Sequence, residues 1–174
     1  MIASPTDTHP PADVVLAVGI GQCVISHDRH AVLAAYGLGS CIGIAAWDSS
    51  AKVAGLIHIL LPEPPPNATG FSLTRFAATG VPYFLRQMEA AGGMRSRLHV
   101  AAVGGAQMLN ALTAASLVKG IGLRNAAVVS EMLRAEGIPL FTSDFGGSAG
   151  RTLTLALATG YMQVRASGGQ PREL

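Results

Sequence analysis

Residues 31–47, AVLAAYGLGSCIGIAAW, carry no charge, and a second apolar run, VAGLIHILL (53–61), follows after Asp48–Lys52. This pair constrains the fold more than any other feature. The first run just reaches the lower length limit of a membrane-spanning helix. Gly37, Gly39, Ser40, Cys41 and Gly43 interrupt it, however, and its β-branched residues and bounding turn signals suit two strands joined by a bend. No membrane insertion is expected.

With 174 residues, 49% of them hydrophobic, the chain can bury one substantial core. A single domain over 13–166 is expected, with a flexible segment at 1–12, where prolines recur, and a flexible tail at 167–174. Strands are predicted near 14–19, 31–36, 42–48, 53–61, 97–103, 138–143, 151–157 and 160–165. Helices are predicted at 72–91, with Ser72 as N-cap, at 106–117, and at 123–136, ending at Gly137 with Val128, Val129, Met132 and Leu133 on one stripe. Strands first, then helices alternating with strands, then a hairpin around Thr159 and Gly160 make the class mixed α/β.

Basic residues are scattered without interleaved aromatics, which argues against a nucleic-acid partner. Two cysteines do not make a disulfide framework, and the N-terminal residues lack a secretory pattern, so a cytoplasmic location is expected.

The chemistry centres on GLGSCIG (37–43). A hairpin turning about Ser49 and Ser50 sets Cys41 directly opposite His58, with β-carbons about 4.5 to 5.5 Å apart on one face. A one-residue slip would separate them. A free thiol titrates near 8.5 and an imidazole near 6.5, so the pair can form thiolate and imidazolium, and only the thiolate attacks. Gly37 and Gly39 permit a sharp turn that exposes backbone amides as oxyanion donors, the Cys41 amide first, with Ser40 beside it. The plainer alternative stands next to this one: Cys41 as a small packed residue and His58 as a satisfied core histidine.

Other candidates are weaker. Cys23 has no glycine bend. His27 and His30 have H-x-x-H spacing without Cys or Glu partners, so no metal is expected. His99 reads as structural, and His9 lies in the N-terminal segment. GGSAGRT (146–152) is one residue short of a phosphate loop and carries Arg151 where a lysine belongs, and Ile42 breaks a dinucleotide fingerprint. GSCIG (39–43) matches a hydrolase nucleophile elbow, but a strand follows where that elbow needs a helix. A small cysteine-dependent hydrolase remains the third alternative.

In order along the chain, GLGSC (37–41), HILLP (58–62), VGGAQML (103–109), IGLRN (121–125) and FGGSAGRTL (145–153) resemble the motifs of the chemoreceptor glutamine deamidases, the CheD family. The likeness runs from about residue 16 to 165. It implies a single-domain three-layer α/β sandwich of mixed β-sheet and helices, no cofactor, and a protein-glutamine glutaminase acting on cytoplasmic helices of chemotaxis receptors. Cys41 would be nucleophile, His58 base and then acid, with Gly39 and Ser40 at the oxyanion turn. The family's third residue, a threonine, falls on Ala35, which offers no hydrogen bond. That departure motivates the second alternative, a weakly active or non-catalytic regulatory module that binds a CheC-type phosphatase or the receptors.

Overall fold

The computed structural model describes residues 14–107 and 120–174. Ten strands form two five-stranded sheets. The first sheet orders β1 (Val14–Ala17), β3 (Ala31–Leu38), β8 (Arg151–Ala156), β9 (Tyr161–Ala166) and β10 (Pro171–Glu173). The second orders β2 (Cys23–Ser26), β5 (Val53–Ile59), β4 (Ile42–Asp48), β6 (His99–Gly104) and β7 (Thr142–Phe145). Pairing is antiparallel except for β1 with β3 and β6 with β7.

Side chains alternate across a strand, and here both directions are buried. From β4 and β5, Ile42, Ile44, Ala46, Val53, Ile57 and Ile59 pack against α1 (Ala77–Ala90) and α2 (Ile121–Ala135) through Phe84, Leu85, Met88, Val129 and Leu133. The alternate positions, Ala45, Ala54 and Leu56, meet Leu33, Ala35, Leu38, Leu153 and Leu155 of the first sheet. Helices, sheet and sheet therefore make three layers, and the uncharged runs that dominate the sequence form the middle one.

The buried face of α2 is Gly122, Asn125, Ala126, Val129 and Leu133, so Val128 and Met132 are only partly buried beside the expected stripe. Gly137, at φ 69°, ends the helix as expected. The predicted strand at 138–143 begins later, at Thr142, because Ile138 serves the helix end: its N–H donates to the Leu133 carbonyl at 2.9 Å while its side chain is buried. Helix α1 starts at Ala77 rather than near Ser72, because residues 73–75 form a 3₁₀ turn and Phe76 is extended; the Ser72 side chain makes no cap hydrogen bond.

The sequence also missed two strands. β2 and β10 are edge strands of four and three residues with no fully buried side chain; Cys23, Val24 and Ile25 of β2 pack only partly against the two cores, and a run that short carries little period to read. β10 falls in the expected flexible tail, where Arg172 reaches Asp144 at 2.6 Å and the Leu174 N–H donates to the Met162 carbonyl at 3.0 Å. The predicted helix at 106–117 lies outside the described residues beyond Gln107, and so does the segment 1–12; Ala106 and Gln107 are not helical.

Candidate active site

The hairpin that carries the two candidate residues is longer than expected. Asp48 pairs with Val53, so residues 49–52 form the connection, with Lys52 at φ 52°. The Asp48 carboxylate holds this connection, accepting N–H bonds from Ser50 at 2.9 Å and Ala51 at 3.0 Å. His58 consequently sits opposite Gly43, not Cys41. The register is displaced by two positions, and because strand side chains repeat every second residue the displacement preserves the face. Cys41, one residue before β4, still projects into the layer between the sheets, on the same side of the second sheet as His58.

Cys41 is 6% exposed and His58 2% exposed. The His58 Nδ1 lies 3.1 Å from the Val18 carbonyl oxygen. A carbonyl only accepts, so the proton of the neutral ring sits on Nδ1 and Nε2 presents its lone pair. Nε2 has no hydrogen-bond partner among the described residues. Residues 18–22 position both ends of this contact: the Gly21 N–H donates to the His58 carbonyl at 2.8 Å, the His58 N–H to Gln22 at 3.0 Å, and the Val18 N–H to Ala34 at 2.8 Å.

Ala35 is fully buried in the core between the sheets and leaves the ring to the Val18 carbonyl. An orienting group is present, then, but it is main chain. The sequence carried no signal for it, because any residue at position 18 brings the same carbonyl.

Electrostatics change the expected resting state. Burial pushes the Cys41 thiol up, opposed by its own backbone N–H, and burial pushes the His58 imidazole down, opposed by the Val18 carbonyl. Both directions favour neutral thiol and neutral imidazole over the thiolate–imidazolium pair. No hydrogen bond joins the Cys41 sulfur to Nε2 in this structure; a neutral thiol and an imidazole of this tautomer that close on each other can transfer the proton as the sulfur attacks, with Nε2 as acceptor.

The turn before Cys41 is built by chain reversal and clamping. A bulge between Ala35 and Leu38 places Gly37 at φ 66°; Gly39 has no such conformation, so only the first of the two glycines makes the bend. The Gly105 N–H then donates to the Cys41 carbonyl at 2.9 Å and the Ala106 N–H to the Gly39 carbonyl at 2.7 Å. Gly104 must lack a side chain, since a Cβ there would lie 2.1 Å from the Cys41 oxygen at φ 126°. Asn125, fully buried, donates from Nδ2 to the Ser40 carbonyl at 2.8 Å and to the Leu60 carbonyl at 2.9 Å. The loop at 146–150 closes the ring, with Gly147 accepting from the Gln107 N–H at 2.8 Å and Arg151 donating to the Gly146 carbonyl at 2.8 Å. The five sequence motifs thus meet around one turn.

The remaining candidates do other work. Cys23 packs toward the helices, and burial pushes its thiol up to about 11. The His27 Nδ1 lies 3.2 Å from the Lys52 carbonyl, and no group of three metal-capable side chains occurs among the described residues. His99 packs at a tilt against the Phe141 ring and meets Trp47 edge-on. Arg151, which resembled a phosphate ligand, turns its two terminal guanidinium nitrogens to Gly146, Ala149 and Asp144. No described helix is long and apolar enough to cross a membrane.

Fold and site together define an α/β protein of three layers with a buried cysteine and histidine facing the same interlayer space. The family described as CheD chemotactic sensory transduction matches residues 60–166, and the chain belongs to the CheD family. It is 38% identical to a probable chemoreceptor glutamine deamidase CheD of Desulforamulus reducens, covering 88% of this chain and 91% of that one. With the probable chemoreceptor glutamine deamidase CheD 2 of Geobacter metallireducens the identity is 39%, over 87% and 93% of the two chains. With the probable deamidase of Pyrococcus horikoshii it is 36%, over 85% and 90%. A crystal structure of a Neisseria meningitidis protein of the DUF152 family overlaps 77% of this chain and 63% of that one at 10% identity and a TM-score of 0.46, too distant a likeness to argue from.

Proposed function

We propose that this chain is a protein-glutamine glutaminase that converts glutamine side chains of chemoreceptors to glutamate, with Cys41 as nucleophile and His58 as base and acid. The observation that carries the reading is the Nδ1 contact to Val18, which leaves an unpartnered imidazole lone pair facing the layer that holds the thiol. The names of the relatives supply the substrate class.

In the reaction the thiol proton passes to Nε2 as the sulfur bonds to the carboxamide carbon. The oxygen becomes an oxyanion beside the Cys41 N–H at the Gly39–Ser40 turn. When the carbon–nitrogen bond breaks, the imidazolium returns the proton and ammonia departs. Nε2 then takes a proton from water, which attacks the thioester and releases glutamate and the free thiol. The product adds a negative charge to the receptor helix, which shifts a signalling equilibrium through charge repulsion. A cytoplasmic location follows from that substrate.

Incubation with receptor cytoplasmic fragments, read by mass spectrometry, is expected to give amide-to-acid conversion at glutamines that is absent with Cys41→Ala. No conversion, or conversion undiminished by Cys41→Ala, overturns the reading. Ala35 favours a second one, a regulatory module that binds a CheC-type phosphatase; it requires binding that survives Cys41→Ala together with an absence of turnover.

A further inference from the structure

We propose that Asn125 is a positioning residue that aims the oxyanion donor, an inference that rests on the reading of Cys41 as nucleophile. The Ser40 carbonyl and the Cys41 N–H belong to one peptide unit, and in a trans peptide they point in opposite directions. Fixing the carbonyl therefore fixes the N–H. Asn125 projects from α2 in the helix layer and holds the Ser40 oxygen at 2.8 Å, which turns the Cys41 N–H away from the helices, toward the interlayer side where the thiol and imidazole lie.

The second bond from Nδ2, at 2.9 Å, goes to Leu60, two residues past His58. One amide group thus ties the nucleophile's turn to the strand that carries the base, across 85 and 65 residues of sequence. Two carbonyl acceptors require the NH₂ end of the amide there, and its Oδ1 has no partner among the described residues. Close approach of α2 makes the reach possible, since a Cβ on Gly122 would lie 2.4 Å from the Gly105 carbonyl.

A positioning role for the donor differs from a merely structural one in what it affects. Acylation of Cys41 passes through an oxyanion; alkylation does not. With p-nitrophenyl acetate the sulfur–carbonyl carbon bond forms, the aryl ester bond breaks, p-nitrophenolate leaves and the thiol proton goes to His58. With iodoacetamide the sulfur displaces iodide at a saturated carbon and the thiol proton goes to His58.

The test measures both rates at Cys41, assigned by peptide mass spectrometry, in the wild type, Asn125→Leu and Asn125→Ser, alongside receptor-fragment deamidation. Asn125→Leu is expected to lower acylation and kcat for deamidation about 100-fold, with KM and the pH profile of alkylation unchanged. Asn125→Ser, which keeps one donor, is expected to fall between, and it carries the test if the leucine variant does not fold. An unchanged ratio of acylation to alkylation, or parallel loss of both, overturns the proposal, as does a wild-type Cys41 inert to both reagents. A wild type that acylates but converts no receptor glutamine overturns the deamidase reading alone, and the ratio still decides the role of Asn125.

Discussion

The two ends of β4 bury polar groups in opposite ways. At its end, Asp48 is fully buried and saturated: Ser50, Ala51 and Met94 donate N–H bonds, and the Arg97 guanidinium spans both oxygens with its Nε at 3.1 and 3.0 Å. At its start, the His58 Nε2 and the Asn125 Oδ1 have no partner among the described residues. A buried acceptor without a partner costs about 1 to 3 kcal/mol. The saturated end returns its desolvation cost as a fixed hairpin; the open end keeps a lone pair available for chemistry. Burial alone does not separate scaffold from site, and an unpartnered atom alone does not either, since the buried Trp47 Nε1 and Arg151 Nε also lack partners among the described residues; what sets the open end apart is a lone pair beside a thiol in one layer.

The largest effects that test this contrast are at the open end. Cys41→Ala and His58→Ala are each expected to lower deamidation by about 10⁴-fold or more, Cys41→Ala with little change in thermal midpoint and His58→Ala with a loss of about 1 to 3 kcal/mol, because the buried Val18 carbonyl is left without its partner. Asp48→Ala is the counterpart: it leaves three backbone N–H groups and Arg97 without their acceptor and is expected to remove about 3 to 5 kcal/mol of stability by chemical denaturation. Turnover per folded molecule should stay unchanged. If turnover falls and stability does not, the contrast is broken.

The pH dependences sharpen it. The backbone donors and Arg97 hold the Asp48 carboxyl below the usual carboxylate range against the opposing effect of burial, so its contribution is complete above an unfolded value near 3.9 and lost as pH falls toward the lower folded value. Acid unfolding should therefore steepen below about pH 4, and Asp48→Asn should flatten it. His58 is depressed by burial, so the acid limb of kcat/KM, which reports its protonation, is expected below about pH 6.5. A limb above that value would point to the ion pair instead. The smallest effect expected is from Ala35→Thr. Because Nδ1 already has the Val18 carbonyl, the added hydroxyl should change turnover by less than about tenfold, or about 1.4 kcal/mol.

Sequence reasoning reached the strands of the middle layer and both candidate side chains, because uncharged apolar runs and a glycine bend are local signals. It misplaced the register by two residues because the carboxylate of Asp48 organises a four-residue connection, a role that composition alone does not announce. The face survived that error by parity. Asn125 was visible only as the last letter of a family motif, since its partners are distant in sequence. Val18 was invisible altogether, because its contribution to the site is a main-chain oxygen.

That oxygen has a consequence for how the protein can change over time. A side-chain orienter is erased by one codon; the Val18 carbonyl is present whatever residue is encoded there. The orientation of the ring is thus insulated from substitution and exposed instead to changes in chain path. An insertion or deletion within residues 19–22, which leaves every candidate side chain intact, is the kind of lesion that would retune or silence the imidazole.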